Sequence, residues 1–165
     1  MPPRRNLTQI STPAKSKVRT PCQLRLQHDL DELTDCGNVS VRFPEDNMQH
    51  FIIQVMVEEG LYRNHKFDFE FVIPDEWPNE RPSVKLLTKT WHPNLSEDGG
   101  VCVSVLKKNY TPITTISGFV TSFQFLFNSP NPRDPLNQEA AKQYISNYAG
   151  FKAKAEEYME KYCPK

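Results

Sequence analysis

Lys66-Phe67-Asp68-Phe69-Glu70-Phe71-Val72-Ile73 sets Phe67, Phe69, Phe71 and Ile73 two residues apart, with charge between the aromatics. A period of two marks a strand with one buried face and one wet face. Val39, Val41 and Phe43 alternate in the same way, Phe51-Ile52-Ile53-Gln54-Val55-Met56-Val57 forms a second apolar run, and residues 83–88 supply a fourth candidate strand. The turn-like segments Pro44-Glu45-Asp46-Asn47 and Arg63-Asn64-His65 separate them, so the four read as an antiparallel meander. Helical spacing flanks the strands. From Pro21, Leu26, Leu30 and Leu33 fall on one face until Gly37. After Thr114 or Thr115, natural N-caps, Ile116, Phe119, Val120, Phe123, Leu126 and Phe127 make a helix apolar enough to require burial. Residues 137–148 and 151–162 read as two more helices, the last mostly solvated. Helix, four strands, then helices is an α+β order.

The chain has 165 residues, enough for one core without disulfide staples and too few for a second catalytic domain. Lys+Arg and Asp+Glu stand at 20 each, so net charge offers nothing to nucleic acid. No acid precedes Asp29, whereas Arg4, Arg5, Lys15, Lys17, Arg19 and Arg25 all do. Residues 1–20, with Pro2, Pro3 and Pro13, are expected to be a basic, disordered N-terminal extension and residues 21–165 the folded domain. The extension suits either an acidic groove on a partner or plain solvation. Cys22, Cys36, Cys102 and Cys163 show no CxxC pairing, and no leader or membrane-spanning stretch is evident. The expectation is a cytoplasmic or nuclear protein with reduced thiols and no membrane attachment.

Between the last strand and the apolar helix lie residues 89–113, a long irregular segment in which apolar residues keep recurring. It contains Trp91-His92-Pro93-Asn94-Leu95-Ser96-Glu97-Asp98-Gly99-Gly100-Val101-Cys102-Val103-Ser104-Val105-Leu106. A thiol beside a glycine pair, with an amide and an imidazole nearby, suits acyl transfer, which needs a nucleophile and an oxyanion donor. Cys102 between two valines is also compatible with an inert core cysteine. A Cys–His dyad with His92 is a third reading, although no third group is evident, and a metal site lacks a matching ligand pair.

The segment resembles the active-site signature of the ubiquitin-conjugating enzymes: His92-Pro93-Asn94, then Cys102 eight positions after Asn94. The resemblance covers roughly residues 22–150. Lys66-Phe67-Asp68-Phe69-Glu70-Phe71 is similar to the family's third strand, and Val72-Ile73-Pro74-Asp75-Glu76-Trp77-Pro78 with Arg81-Pro82-Ser83-Val84 to the turn before its fourth. Asn131-Pro132-Arg133-Asp134-Pro135-Leu136 is similar to the stretch after the active-site helix. Residues 23–33 and 126–141, with a basic extension, look closest to the neddylation branch, which charges the Nedd modifier and delivers it to cullins. The implied fold is helix, four-stranded meander, active-site loop and C-terminal helices.

The resemblance implies that Cys102 carries a ubiquitin-like modifier as a thioester, Asn94 stabilises the oxyanion or holds the loop, and Asp134 takes or orients the proton of the attacking lysine. His92, Pro93, Ser104 and Leu136 would support the site. Trp77, Pro78, Asn79, Pro112 and Ile113 would face a RING-type ligase, and Leu7, Ile10 and Arg25 an activating enzyme. Tyr110 departs from the tryptophan of many relatives, and Arg81 from the first proline of the usual pair. The protein would be a monomer needing no cofactor and no metal, ATP being spent by the activating enzyme. A ubiquitin-specific enzyme is the alternative, followed by a non-catalytic variant serving as a binding module.

Overall fold

A computed structural model of the protein describes residues 18–102 and 108–165. Helix α1 spans Pro21–Glu32 and opens on a capping box. The Thr20 hydroxyl accepts from the Gln23 N–H, the Gln23 side chain accepts from the Thr20 N–H, and Pro21 occupies the first turn, where no amide donor is needed. The chain then tightens into a 3-10 turn at Leu33–Asp35.

Strands β1 Val39–Arg42, β2 His50–Met56, β3 Lys66–Val72 and β4 Ser83–Leu86 form one sheet in the order β1-β2-β3-β4, each pair antiparallel. The expected meander is present. Its fourth strand stops short of residue 88: the Leu87 N–H still donates to the Asp68 carbonyl, but the Asp68 N–H donates to the Thr88 hydroxyl at 2.9 Å in place of the Leu87 carbonyl. Helices α2 Ile116–Asn128, α3 Gln138–Ser146 and α4 Tyr148–Tyr162 follow. Thr115 caps α2. The last helix starts earlier than Phe151, since the Asn147 side chain accepts from the Gly150 N–H and caps it there.

The core is an aromatic ladder whose geometry follows from two repeats. Four residues of helix rise about 6 Å and two residues of strand about 6.8 Å, so every fourth helical side chain meets every second strand side chain. Phe119, Phe123 and Phe127 of α2 therefore face Phe71, Phe69 and Phe67 of β3, with centroids 6.2, 4.3 and 4.4 Å apart. Phe51, Ile53 and Val55 of β2 sit opposite the same three strand residues. The other sheet face is polar: Arg42 and Gln54 converge on Asp68, and His50 bridges Glu45 and Glu70. Burying α2 on the sheet fixes where the segments at both its ends must lie.

Candidate active site

His92 is fully buried against Tyr62 and Phe127. Its Nδ1 accepts from the Asn94 N–H at 2.9 Å, and its Nε2–H donates to the Leu126 carbonyl at 2.9 Å. Four residues beyond Leu126 stands Pro130, which has no N–H to give, so the imidazole satisfies a helix-end carbonyl that the chain leaves open. Burial pushes the imidazole down to about 4, the Leu126 bond opposing only in part. His92 is neutral with both nitrogens engaged, so it cannot act as a base for Cys102, and the Cys–His dyad is excluded.

From Asn94 the chain makes a narrow hairpin that ends at Cys102. Leu95 bridges Val101, the Cys102 N–H donates to the Asn94 carbonyl at 3.0 Å, and the Ser96 N–H donates to the Gly100 carbonyl at 3.0 Å. At the tip the Ser96 hydroxyl donates to Asp98 and accepts from the Gly100 N–H at 2.7 Å. That bond is the main reason the Asp98 carboxyl is held below its usual range. Gly99 has φ +102° and lies against β4, where its carbonyl accepts from the Leu86 N–H at 2.9 Å. A Cβ at Gly99 would fall 2.7 Å from Lys85 Cγ and 2.8 Å from the Leu86 oxygen, so glycine is required for both angle and space.

A second loop closes on this hairpin. The Pro93 carbonyl accepts from the N–H groups of Leu136 and Asn137 at 2.9 and 3.0 Å. The Asn94 carboxamide, 1% exposed, accepts from the Asn131 N–H at 2.8 Å and donates to the carbonyls of Asn131 and Asp134 at 2.7 and 3.2 Å. Asp134 is thereby brought to Cys102, whose Sγ lies 3.8 Å from both the Asp134 carbonyl and its Oδ2. Leu136, 40% exposed, stands beside Gly100. Cys102, Asn94 and Asp134 lie together, with both amide hydrogens of Asn94 engaged by the loop. Ser104 lies outside the described residues.

The thiols differ in access. Cys22 and Cys163 are buried, which raises both and takes Cys163 to about 12; Cys102 and Cys36 are half-buried. Cys102 is thus no inert core cysteine. It opens on a cleft of about 650 Å³ lined by Asn94, Asp134, Lys108, Thr121 and Phe125. Phe125 is 67% exposed. The sequence carried its signal, since Phe125 lies off the apolar stripe of α2.

The residues expected to face other proteins divide. Asn79, Pro112 and Ile113 are exposed and Pro78 is half-buried, whereas Trp77 is buried and lies behind them. Arg25 turns inward. It donates to Asp29 at 3.1 Å and to the carbonyls of Pro112 and Thr114 at 2.9 and 3.2 Å, with its guanidinium 5.5 Å from the Trp77 ring. Asp29, fully buried, also accepts from the Ile116 N–H at 3.3 Å. Arg25 therefore clamps α1 to the loop before α2 in place of presenting its charge outward. Tyr110 donates to the Pro78 carbonyl and stacks on Phe119. Leu7 and Ile10 lie outside the described residues.

Residues 25–159 match the family model described as ubiquitin-conjugating enzyme. The chain belongs to this family, transferases that carry a modifier as a cysteine thioester. It is 36% identical over 151 residues to the Nedd8-conjugating enzyme UbcE2M of Drosophila melanogaster, spanning 91% of this chain and 83% of that one. It is 39% identical over 122 residues to ubiquitin-conjugating enzyme E2 13 of Saccharomyces cerevisiae, spanning 73% and 80%. A putative ubiquitin conjugating enzyme from Plasmodium yoelii superposes with TM-score 0.83 at 30% identity, covering 90% of this chain and 99% of the other. S. cerevisiae Ubc12 superposes with TM-score 0.76 at 28% identity, covering 83% and 78%. Among the described residues no helix is long and apolar enough to cross a membrane, and no group of His, Cys, Asp and Glu could hold a metal ion.

Proposed function

We propose that the protein is a neddylation conjugating enzyme. It accepts the Nedd modifier from its activating enzyme on Cys102 and passes it to a substrate lysine, on cullins and with a RING-type ligase, in the cytoplasm or nucleus. The observation that carries the reaction is a half-buried thiol 3.8 Å from the Asp134 carboxylate at the mouth of an open cleft. The modifier is supported by relatives named as Nedd8-conjugating enzymes that align over 91% and 88% of the chain.

Charging exchanges one thioester for another: the Cys102 thiolate attacks the incoming carbonyl and the activating enzyme's thiolate leaves, nearly isoenergetically. In discharge a lysine amine attacks the same carbonyl, an amide bond forms, the C–S bond breaks and Cys102 departs as thiolate. An unperturbed lysine loses its proton only near ~10.4, so the attacking group needs an acceptor close to the sulfur. The 3.8 Å separation of Asp134 Oδ2 from Sγ supports Asp134 in that role. Asn94 holds the loop that carries Asp134, and serves the oxyanion when an amide hydrogen is released from the Asn131 or Asp134 carbonyl. Asn79, Pro112 and Ile113 offer the ligase an exposed surface braced from behind by Trp77 and Arg25.

The ubiquitin-named yeast relative, 39% identical, favours a second reading in which ubiquitin is the modifier. Incubation with each activating enzyme and its modifier separates the two. A reductant-sensitive adduct with Nedd alone, absent in Cys102→Ala and thiol-resistant in Cys102→Ser, is expected. Charging with ubiquitin alone overturns the modifier, and normal charging of Cys102→Ala overturns the site.

A further inference from the structure

The far side of the active-site hairpin is gripped by a helix that contributes nothing to the chemistry. Tyr158 of α4 donates its hydroxyl hydrogen to Glu97, which sits in the turn between Ser96 and Gly100. One helical turn earlier, the Lys154 ammonium lies 3.6 Å from the centroid of Trp91, at the start of the same segment, and the Trp91 and Tyr158 rings are 5.6 Å apart. The Trp91 indole N–H donates to Gln143 of α3 at 2.9 Å, and Lys89 lies 5.8 and 5.3 Å from the rings of Tyr158 and Tyr162. Among the described residues the base of the hairpin is tied to the 131–137 loop through Pro93 and Asn94 and to α2 through His92, and its tip to β4 through Gly99 and to α4 through Glu97.

We propose that Tyr158 is a positioning residue for the reaction at Cys102, its hydroxyl holding the Glu97 turn so that the hairpin presents the thiol to Asp134 at a fixed angle. The ties through Pro93, Asn94 and His92 secure the base and the one through Gly99 secures one side of the tip, and the Tyr158 bond reaches the exposed edge of the turn at Glu97. A three-residue lever joins Glu97 to Gly100, and Cys102 follows two residues later, so freedom at the tip is passed to the sulfur. Tyr158 is suited to this over the whole working pH range, because the Glu97 bond and partial burial push the phenol up to about 12 and keep it a donor. The cation over Trp91 and the tyrosine on Glu97 act on the two ends of one segment, fixing its rotation as well as its distance.

The inference rests on Cys102 being the thioester carrier, and its test has an arm that does not. Tyr158→Phe removes one oxygen and keeps the tilted ring contact with Trp91; Glu97→Gln keeps an acceptor, and Glu97→Ala does not. Precharged proteins are discharged in single turnover against increasing free lysine, and alkylation of Cys102 by iodoacetamide is followed by site-resolved mass spectrometry across pH. Tyr158→Phe and Glu97→Ala should lower the maximal discharge rate about fivefold with little change in the lysine concentration giving half that rate, since misorientation costs reactivity more than binding. Both should shift the alkylation profile of Cys102, the double variant should be no worse than either single, and Glu97→Gln should stay within about twofold of the parent. A lowered Tm in Tyr158→Phe with discharge and alkylation unchanged overturns the proposal. Failure of the parent protein to charge with any modifier defeats the thioester reading instead, and leaves the alkylation arm to decide the latch.

Discussion

The Nε2–H of His92 caps the carbonyl of Leu126 at 2.9 Å, tying the start of the active-site hairpin to the C-terminal turn of α2. Unfolded His92 takes a proton near 6.5 and the buried group near 4, so its contribution to stability is complete above 6.5 and erodes as pH falls through that window. The loss should total about 3 kcal/mol by the time the pH reaches the folded value. Urea denaturation of the parent and of His92→Gln from pH 7 to 4 checks this. The parent should lose stability over the window, and the variant, weaker at pH 7, should lack that slope.

His50 has the opposite sign. Its Nδ1 and Nε2 lie 2.8 and 3.0 Å from Glu45 and Glu70, and the bond to Glu70, then that to Glu45, raises the imidazole above its ordinary value. The bridge is complete when both nitrogens carry protons, so it is fully present below 6.5 and is lost as pH rises through the raised value. The Tm difference between the parent and His50→Gln should be largest near pH 6 and shrink towards pH 9.

Asn94 spends three hydrogen bonds on the 131–134 loop. Asn94→Ala leaves the part-buried Asn131 N–H and two part-buried carbonyls to find other partners, at about 1–3 kcal/mol for each that water does not reach. Charging should be reduced modestly and discharge to lysine much more, because Asp134 no longer has a fixed place beside the sulfur. Equal slowing of both steps would place the effect on presentation of Cys102 alone.

Arg25 satisfies Asp29, Pro112 and Thr114 with one planar fork. Arg25→Lys cannot reach all three, so it should lose stability almost as Arg25→Ala does, about 2–4 kcal/mol with Asp29 left buried and half-paired. Chemical denaturation measures this. Retention of full stability by the lysine variant would mean that charge, not the fork, is what matters.

Deleting residues 1–17, which spares the Thr20 cap of α1, should raise the apparent Michaelis constant for charging by the Nedd activating enzyme and leave intrinsic discharge to lysine unchanged. An arm that adds contact to a partner acts on encounter, not on chemistry at Cys102. If its basic residues carry the effect, raising salt should weaken charging of the full chain towards that of the truncated one. If Leu7 and Ile10 carry it, salt should leave the difference in place.

What the chain determined by itself is the set of elements; Cys102 as the proposed nucleophile came from resemblance to a family, because its spacing alone suits a core cysteine equally. The two-residue period of Phe67, Phe69 and Phe71 and the four-residue period of Phe119, Phe123 and Phe127 each name a face, and two such faces with matching rise have one way to pack. The glycine pair before Cys102 likewise announces a tight hairpin. Tertiary structure decided how the polar side chains were spent: His92 on Leu126, Asn94 on Asn131 and Asp134, Arg25 on Pro112 and Thr114, Tyr158 on Glu97. Three of these four find backbone carbonyls between 34 and 89 residues away. Every residue carries a carbonyl, so such an acceptor leaves no mark in the order of side chains. It becomes a partner only when the fold brings it within reach and burial makes an unpaired donor costly, which is why Arg25 reads as a surface charge in the sequence and is a clamp in the protein.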